Sequence, residues 1–557
     1  MRKKIIQLME RTLSAYSNSH IQRYFDEVKR DGLTEHGFPR LTANIGILIA
    51  HGKRTDLLPI FLEMMEFCCK TIPTVKAAND FSVREICCCI SEVEQSGVVE
   101  PSVIERWKNY LRGIDPTTCY NQFALSPADI VKNWAVFTGV SEFFRMKLGL
   151  GGSEEFIDIQ LASQFKWIDE NGMYMDGIKD IHHPLVYDLV PRALFAMILK
   201  VGYRGRYYTE IDDILRRAGL LTLQMQSPNG EVAFGGRSNQ FLHNEPCMII
   251  IFTYEAARYV SEGDMQMAKR FSSAITRAIK VTEDYLNMDP ICHIKNRFPV
   301  DTKFGCEDYA YFDKYMITVA SKLYAAYLLW DEAIPECDDP DLEPVAASTS
   351  THFHKLFLKA GGYGVEFDLD ADPHYDASGL GRVHKVGAPA AICMSVPCPS
   401  NPIYTVNVDK PVAASLCPGT RIDGEWVIGT DLKYQTLDMS SNDHSASAVL
   451  CSRFPNNDEI VTRYEVDASG VKIEVTGNGD IAYMLPALYF DGEAYSEIVE
   501  EGNRLDVVFK DWICRYTVNG VIHNADQLAA NRNGNYNIYF ATGTERLNVT
   551  IEILQKQ

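Results

Sequence analysis

The chain changes its hydrophobic rhythm once, near Asp331, and that single change limits what it can fold into. Before it, apolar residues recur at three- and four-residue spacing over 5–16, 21–29, 41–51, 57–71, 83–92, 103–111, 128–148, 155–168, 185–201, 211–225, 242–260, 265–286 and 309–329. That period predicts about a dozen helices, joined by loops carrying Gly, Pro, Asn and Asp. After it comes a Pro- and acid-rich stretch, A-I-P-E-C-D-D-P-D-L-E-P-V-A-A, of linker composition. Short β-rich runs then alternate with Gly and Asn turns, among them 353–362, 390–396, 403–408, 424–429, 464–470, 471–480, 504–510, 537–543 and 548–554. Such spacing predicts an antiparallel sandwich. The expected organisation is a helical domain over 1–335, a linker over 336–350 and a β-sandwich over 351–557.

Composition removes several classes of function. The net charge is −20 and no basic run is long enough for nucleic acid or a membrane surface, so neither is an expected partner. No apolar run approaches the ~20 residues of a membrane span, and the N-terminus lacks the apolar core of a signal peptide. The 15 cysteines include Cys68-Cys69 and Cys87-Cys88-Cys89 but no C-x-x-C pair. An odd, clustered set argues against a disulfide framework, so the chain reads as cytoplasmic and reduced. His182-His183 lacks the spacing of metal ligands on one helix face, and neither metal nor cofactor is expected.

The densest polar segment is S-P-N-G-E-V-A-F-G-G-R-S-N-Q-F-L-H-N-E-P, 227–246, which gathers Glu231, Arg237, Asn239, Gln240, His243, Asn244 and Glu245 at the mouth of an apolar helix. Either this is a well-capped helix with a polar loop, or it grips a polyhydroxylated anion. The planar fork of Arg237 suits a carboxylate. Glu245 falls where a helix dipole lowers a carboxylate pKa, which favours a base or nucleophile. Asn133-Trp134 opens another helix, where Trp offers a flat apolar face to a sugar ring and Asn both a donor and an acceptor; ordinary core is the alternative for Trp134. The segment 171–192 carries Tyr174, Asp176, His182, His183, Tyr187, Asp188 and Arg192, with Asp188 and Arg192 also spaced as a plain i,i+4 pair. In 298–315, Glu307 and Asp308 stand where the last helix would begin, ahead of Tyr309, Tyr311 and Tyr315. Asp308 there is either an N-cap or, with Glu307, a source of a general acid. A Gly-rich stretch with Arg382, His384 and Lys385 reads as a basic loop closing over the site or as a surface hairpin.

A dozen helices followed by a sandwich resembles the (α/α)-toroid plus antiparallel β-sandwich enzymes of carbohydrate metabolism, among them heparinase- and alginate-lyase-like polysaccharide lyases and several glycoside hydrolases. The implied fold is a two-domain α+β chain, an (α/α)6-type helical toroid and then the sandwich. G-M-Y-M-D-G followed by Tyr187-Asp188 is similar to the segment that joins an outer to an inner helix in those enzymes. Gly236, Arg237, Ser238, Gln240, Asn244 and Glu245 match a G-R-S-x-Q-x-x-x-N-E pattern that resembles glycoside hydrolase family 154, the β-glucuronidases. That resemblance implies an exo-acting hydrolase removing terminal β-linked glucuronic acid from an oligosaccharide or glycoconjugate. Glu245 would work with Asp308 or Glu307, Asp188 being the substitute. Its carboxyls would stand ~5–5.5 Å apart for retention or ~6.5–9.5 Å for inversion. Arg237, Asn239, Gln240, His243, Asn244, Asn133, Trp134, His183, Tyr187, Arg382 and His384 would hold the sugar. The alternative is an exo-acting lyase cleaving uronic-acid glycans by β-elimination, with Tyr309, Tyr311 or a histidine as base. A homo-oligomer is an open possibility that large acidic toroid enzymes suggest.

Overall fold

The computed structural model describes residues 1–176, 185–341 and 343–556. The helices are α1 (Arg2–Leu13), α2 (Asn18–Asp31), α3 (Gly37–Ala50), α4 (Leu58–Thr71), α5 (Asn79–Ser96), α6 (Pro101–Arg112), α7 (Pro116–Cys119), α8 (Trp134–Lys147), α9 (Glu154–Phe165), α10 (Leu185–Val201), α11 (Tyr208–Met225), α12 (Asn244–Glu262), α13 (Met265–Leu286) and α14 (Phe312–Leu329). Two sequence classes alternate among them. Outer helices have a polar face: α6 buries only Ile104, Trp107 and Leu111, one narrow stripe. Inner helices are apolar nearly all round, α3 burying every residue but its last. A helix without a polar face must be surrounded. Accordingly α3, α5, α8, α10, α12 and α14 pack in that order and α14 closes on α3. Around this ring α4, α6, α9, α11, α13 and α1 pack outside, completing an (α/α)6 toroid. Gly46 shows how tightly it is drawn: a Cβ there would lie 2.4 Å from Phe61 and Cys89.

The strands are β1 (Val345–Ser348), β2 (Lys355–Ala360), β3 (Tyr363–Asp368), β4 (Gly379–Lys385), β5 (Pro418–Ile422), β6 (Glu425–Ile428), β7 (Tyr434–Ser441), β8 (Ala446–Arg453), β9 (Glu459–Asp467), β10 (Gly470–Phe490), β11 (Glu497–Glu501), β12 (Arg504–Phe509), β13 (Trp512–Val518), β14 (Val521–Ala530) and β15 (Asn535–Gln555). A small sheet runs β1-β2-β3-β4 and a large one β11-β12-β13-β15-β10-β9-β8-β7, with β14 on β15 and β5 on β10. The small sheet is the middle layer of the molecule, and strand alternation makes it so. Leu356, Leu358, Val365 and Phe367 join the sandwich core with Tyr464, Val466 and Val471. Phe357 packs with Ala218, Leu221 and Met225 of α11 in a separate interdomain cluster.

Several boundaries differ from expectation. The helix expected over 128–148 begins at Trp134, because Asp129 instead caps a turn by accepting from the amides of Leu125 and Ser126. β1 begins inside the stretch read as linker. The acidic stretch before it is strapped to α13: Thr276 donates to the Cys337 carbonyl (2.9 Å) and Arg270 pairs with Asp341 (3.2 Å). The runs 390–396 and 403–408 form no strand of either sheet. All fifteen cysteines are free, and among the described residues no helix is long and apolar enough to cross a membrane. Since Phe357 anchors the domain junction, Phe357→Ala is expected to cost about 3–5 kcal/mol, read as a lower urea midpoint, while Tyr311→Ala, at an exposed position, leaves the midpoint in place.

Candidate active site

The polar loop before α12 is held by side chains from the other domain. Val232 accepts from Arg382 Nη1 (2.9 Å), the Phe234 amide donates to Glu366 (3.2 Å) and the Gly236 amide donates to Asp376 (2.7 Å). The Ser238 amide donates to Glu307 (2.8 Å). Ser238 and Gln240 then take left-handed φ values of 63° and 66°. Each such non-glycine residue costs about 1–3 kcal/mol and persists only where its surroundings enforce it. Enforcement continues downstream, where Lys295 donates its amide to Gln240 and Leu242 donates to His293, both at 2.8 Å.

This scaffold places Arg237, half-buried, 4.7 Å from the ring centre of Tyr309 and 5.6 Å from that of Tyr187. Ser238 Oγ bridges the two phenols, 3.1 Å from Tyr187 and in a short contact with Tyr309. Tyr315 lies 5.8 Å from Tyr309, and His243 stacks on Tyr315 at 5.9 Å. Half-buried Trp134 meets Phe81 of the neighbouring inner helix edge-on at 4.6 Å. Burial pushes the Tyr309 phenol well above its ordinary range, with Tyr187 and Glu307 adding to it. Burial, with Lys322 and Arg40 beside it, pushes His243 well below the ordinary histidine value. Its Nδ1 and the Arg237 Nε have no hydrogen-bond partner among the described residues. At neutral pH the site therefore offers a protonated phenol, a neutral imidazole and a guanidinium.

Three of the four candidate carboxylates are committed elsewhere. Glu245 lies in the first turn of α12, as expected, but fully buried beneath the loop, in a short ion pair with Lys295 and accepting from the Val232 amide at 3.2 Å. The expected lowering by the helix dipole is overturned: burial outweighs it and raises the Glu245 pKa. Glu307 is buried and accepts from Arg532 Nη2 (2.7 Å) as well as from Ser238. Asp308 is exposed and is not the cap of α14, which starts at Phe312 with Tyr311 at the cap position. Asp188 is the i,i+4 partner of Arg192 (2.8 Å to Nε) and also accepts from the Tyr174 amide at 2.7 Å.

Other sequence candidates divide similarly. Asn244 donates to the Ser238 carbonyl (3.2 Å), Gln240 to Asn239 (2.6 Å) and Asn239 to the Ala233 carbonyl (3.4 Å), so the three amides brace the loop. Asn133, buried, donates to Asp176 (3.0 Å). Arg382 and His384 form no lid: both lie buried in β4 beneath the loop, His384 against Ser227 Oγ at 2.8 Å. His182 and His183 lie outside the described residues. Glu366, Asp376 and Arg532 carried no local signal in the sequence, because strand and turn residues far away in the chain reach the site only through tertiary packing. Among the described residues no group of His, Cys, Asp or Glu is arranged to hold a metal ion. Glu307→Ala leaves the Arg532 charge buried without its partner and is expected to cost about 3–5 kcal/mol, read as a lower urea midpoint, with Glu307→Gln intermediate.

No family model and no curated protein matches the chain. Among solved structures it is similar to a mutant of the heparan sulfate lyase HepC from Pedobacter heparinus, at 8% identity over 94% of this chain and 77% of that one, with a TM-score of 0.50. A heparinase III structure matches at 10% identity over 85% and 77%, with a TM-score of 0.36. A glycosyl hydrolase of family 88 from Bacteroides vulgatus matches at 13% over 59% and 99%, with a TM-score of 0.40. The first of these likenesses establishes the architecture, a helical toroid followed by an antiparallel β-sandwich.

Proposed function

We propose that this chain is a lyase acting on uronic-acid glycans by β-elimination at a chain end. One observation carries the choice of reaction. The groups that line the cup without an ion-pair partner are the half-buried Arg237 guanidinium and the Tyr309 and Tyr187 phenols, with the buried His243 imidazole beside them, whereas Glu245, Glu307 and Asp188 are each bound to a cation. Hydrolysis needs two carboxyls free to flank the scissile bond. Elimination needs a cation for the uronate carboxylate, a base for the C5 proton and an acid for the leaving oxygen. Arg237 takes the carboxylate and so acidifies C5. The imidazole of His243 accepts the C5 proton. The electron pair left behind forms the C4=C5 bond, the C4–O bond breaks, and Tyr309 gives its proton to the departing oxygen. Arg237, 4.7 Å from the Tyr309 ring, stabilises the phenolate; after product leaves, the His243 imidazolium gives up the C5 proton to solvent and Tyr309 regains one through Ser238 and Tyr187, which resets base and acid. The name of the HepC neighbour, a heparan sulfate lyase, accords with this reading. End-on action is favoured because buried Arg40, Glu85 and Ser321 plug the ring below the cup.

The rival reading, removal of a terminal β-linked glucuronic acid by hydrolysis, draws on the raised pKa of Glu245, as a general acid requires. One assay separates them. A uronate-terminated oligosaccharide should give a product absorbing near the ultraviolet band of a conjugated enoate; reducing sugar released without that absorbance would establish hydrolysis. Tyr309→Phe should lower kcat by about 10²–10⁴ with the fold intact by circular dichroism. Arg237→Ala should weaken turnover of a uronate far more than binding of the matching neutral sugar; equal losses would remove Arg237 from carboxylate recognition.

A further inference from the structure

The floor of the cup holds more positive charge than its own carboxylates balance. Glu85 is the acid there, and both its oxygens are taken: Oε1 accepts from Arg40 (3.1 Å) and Arg84 (2.6 Å), and Oε2 accepts from Ser321 (2.7 Å). Arg40 also donates to Thr318 (2.7 Å), one turn before Lys322 on α14. Lys322 is 2% exposed, and its ammonium has neither hydrogen-bond nor ion-pair partner among the described residues. It rests 5.4 Å from the ring centre of Phe137, which packs at 4.3 Å on Phe81. Phe81 is half-exposed and meets Trp134, His36 (4.8 Å) and Arg40 (5.6 Å), so this aromatic patch links the open cup to the unpaired lysine. His36 and His243, buried nearby, each leave Nδ1 without a partner. Burial, Arg84 and Arg40 press the Lys322 pKa down to about 8, against the raising influence of Cys247 and Glu85. A desolvated cation without a counter-ion is costly to the fold, and such a cost persists at sites where a ligand supplies the missing charge.

We propose that Lys322 and Arg40 form a second anion subsite at the floor of the cup, which takes an oxyanion substituent carried by the terminal sugar in addition to the carboxylate at Arg237. The substrate is then a saccharide whose end unit bears two negative groups. This assignment of the substrate rests on the uronate reading above; the anion site itself does not. Arg237 sits beside Tyr309 and Tyr187, and Lys322 lies near enough to His243 to push its pKa down, so the two cations would read different groups of one sugar.

The test begins with inorganic sulfate against chloride at matched ionic strength, measured by calorimetry. Sulfate should bind the unaltered chain and Arg237→Ala alike, bind Lys322→Met at least tenfold more weakly, and bind Lys322→Arg nearly normally. Equal affinity for the unaltered chain and Lys322→Met overturns the subsite. Lys322→Met should also match or exceed the unaltered chain in thermal stability without sulfate; a clear loss would make the lysine a structural element and overturn the proposal. Selenate soaked into crystals of the unaltered chain gives a readout that needs no variant: an anomalous peak within hydrogen-bond distance of Lys322 Nζ is expected, and its absence at saturating selenate overturns the site. None of these readouts uses turnover, so failure of the lyase reading leaves them intact. If elimination is observed, Lys322→Met should raise KM more than tenfold for a sulfated uronate and less than twofold for its unsulfated form.

Discussion

Three buried carboxylates that accept from one backbone segment hold the site together. Glu366, Asp376 and Glu307 receive the amides of Phe234, Gly236 and Ser238, and each lies among cations or their dipoles: Glu366 beside Arg382 at 3.0 Å, Glu307 beside Arg532 at 2.7 Å. Hydrogen bonds to charged groups contribute about 1.5–3 kcal/mol each, enough together to offset the two left-handed residues that aim Arg237 at the tyrosines. Glu366 and Asp376 belong to the sandwich and Glu307 to the toroid, so the loop has its working shape only when both domains are docked. Residues 404 and 405 reinforce this: Tyr404 bridges Glu307, Thr405 exchanges backbone bonds with Gly305 and Cys306, and Arg532 stacks on Tyr404 at 4.0 Å. The sandwich is part of the site's frame.

That frame also explains which parts were legible in the sequence. The toroid was legible because helices apolar nearly all round, alternating with helices only partly buried, leave few other arrangements, and the sandwich because period-two alternation with Gly and Asn turns is strong over 434–555. The polar loop of 227–246 stood out because so many amides and charges before an apolar helix have no place in a core. The direction in which each side chain points was illegible. Glu245 and His243 are two residues apart at the start of α12, yet one is sealed against Lys295 and the other stacks on Tyr315. Arg382 and His384 looked like a lid because glycines surround them, whereas their alternation with Val383 marks a strand whose polar side faces the toroid. The run 403–408 has strand composition and spends it on pairing with the other domain, a choice that no local pattern encodes.

The electrostatics of the cup run against those of the chain. A net charge of −20 repels an anionic glycan at long range. Inner helices separated by outer ones run in one direction, and the starts of α3, α5, α8, α12 and α14 bring His36, Phe81, Trp134, His243 and Tyr315 to the same end of the ring. Each helix start carries roughly half a positive charge. Arg237, Arg40 and Lys322 add to that field inside a space where water screens little. Long-range repulsion, damped beyond about 8–10 Å by salt, is therefore met at contact range by a concentrated positive site.

The same field governs the acid and base. His243 is held neutral by burial and by the nearby Lys322 and Arg40, and in that state its affinity for a proton is weak. Under the elimination reading, an arriving anion removes part of this repulsion. A carboxylate at Arg237, and a second oxyanion at Lys322, offset the positive charge that depresses the imidazole and so raise its pKa toward neutrality. The base strengthens only when the substrate's charges are in place. An uncharged sugar of the same shape leaves His243 a poor base even if it fills the cup, so discrimination between acidic and neutral glycans falls on the proton-transfer step as well as on binding, and is read in kcat as much as in KM.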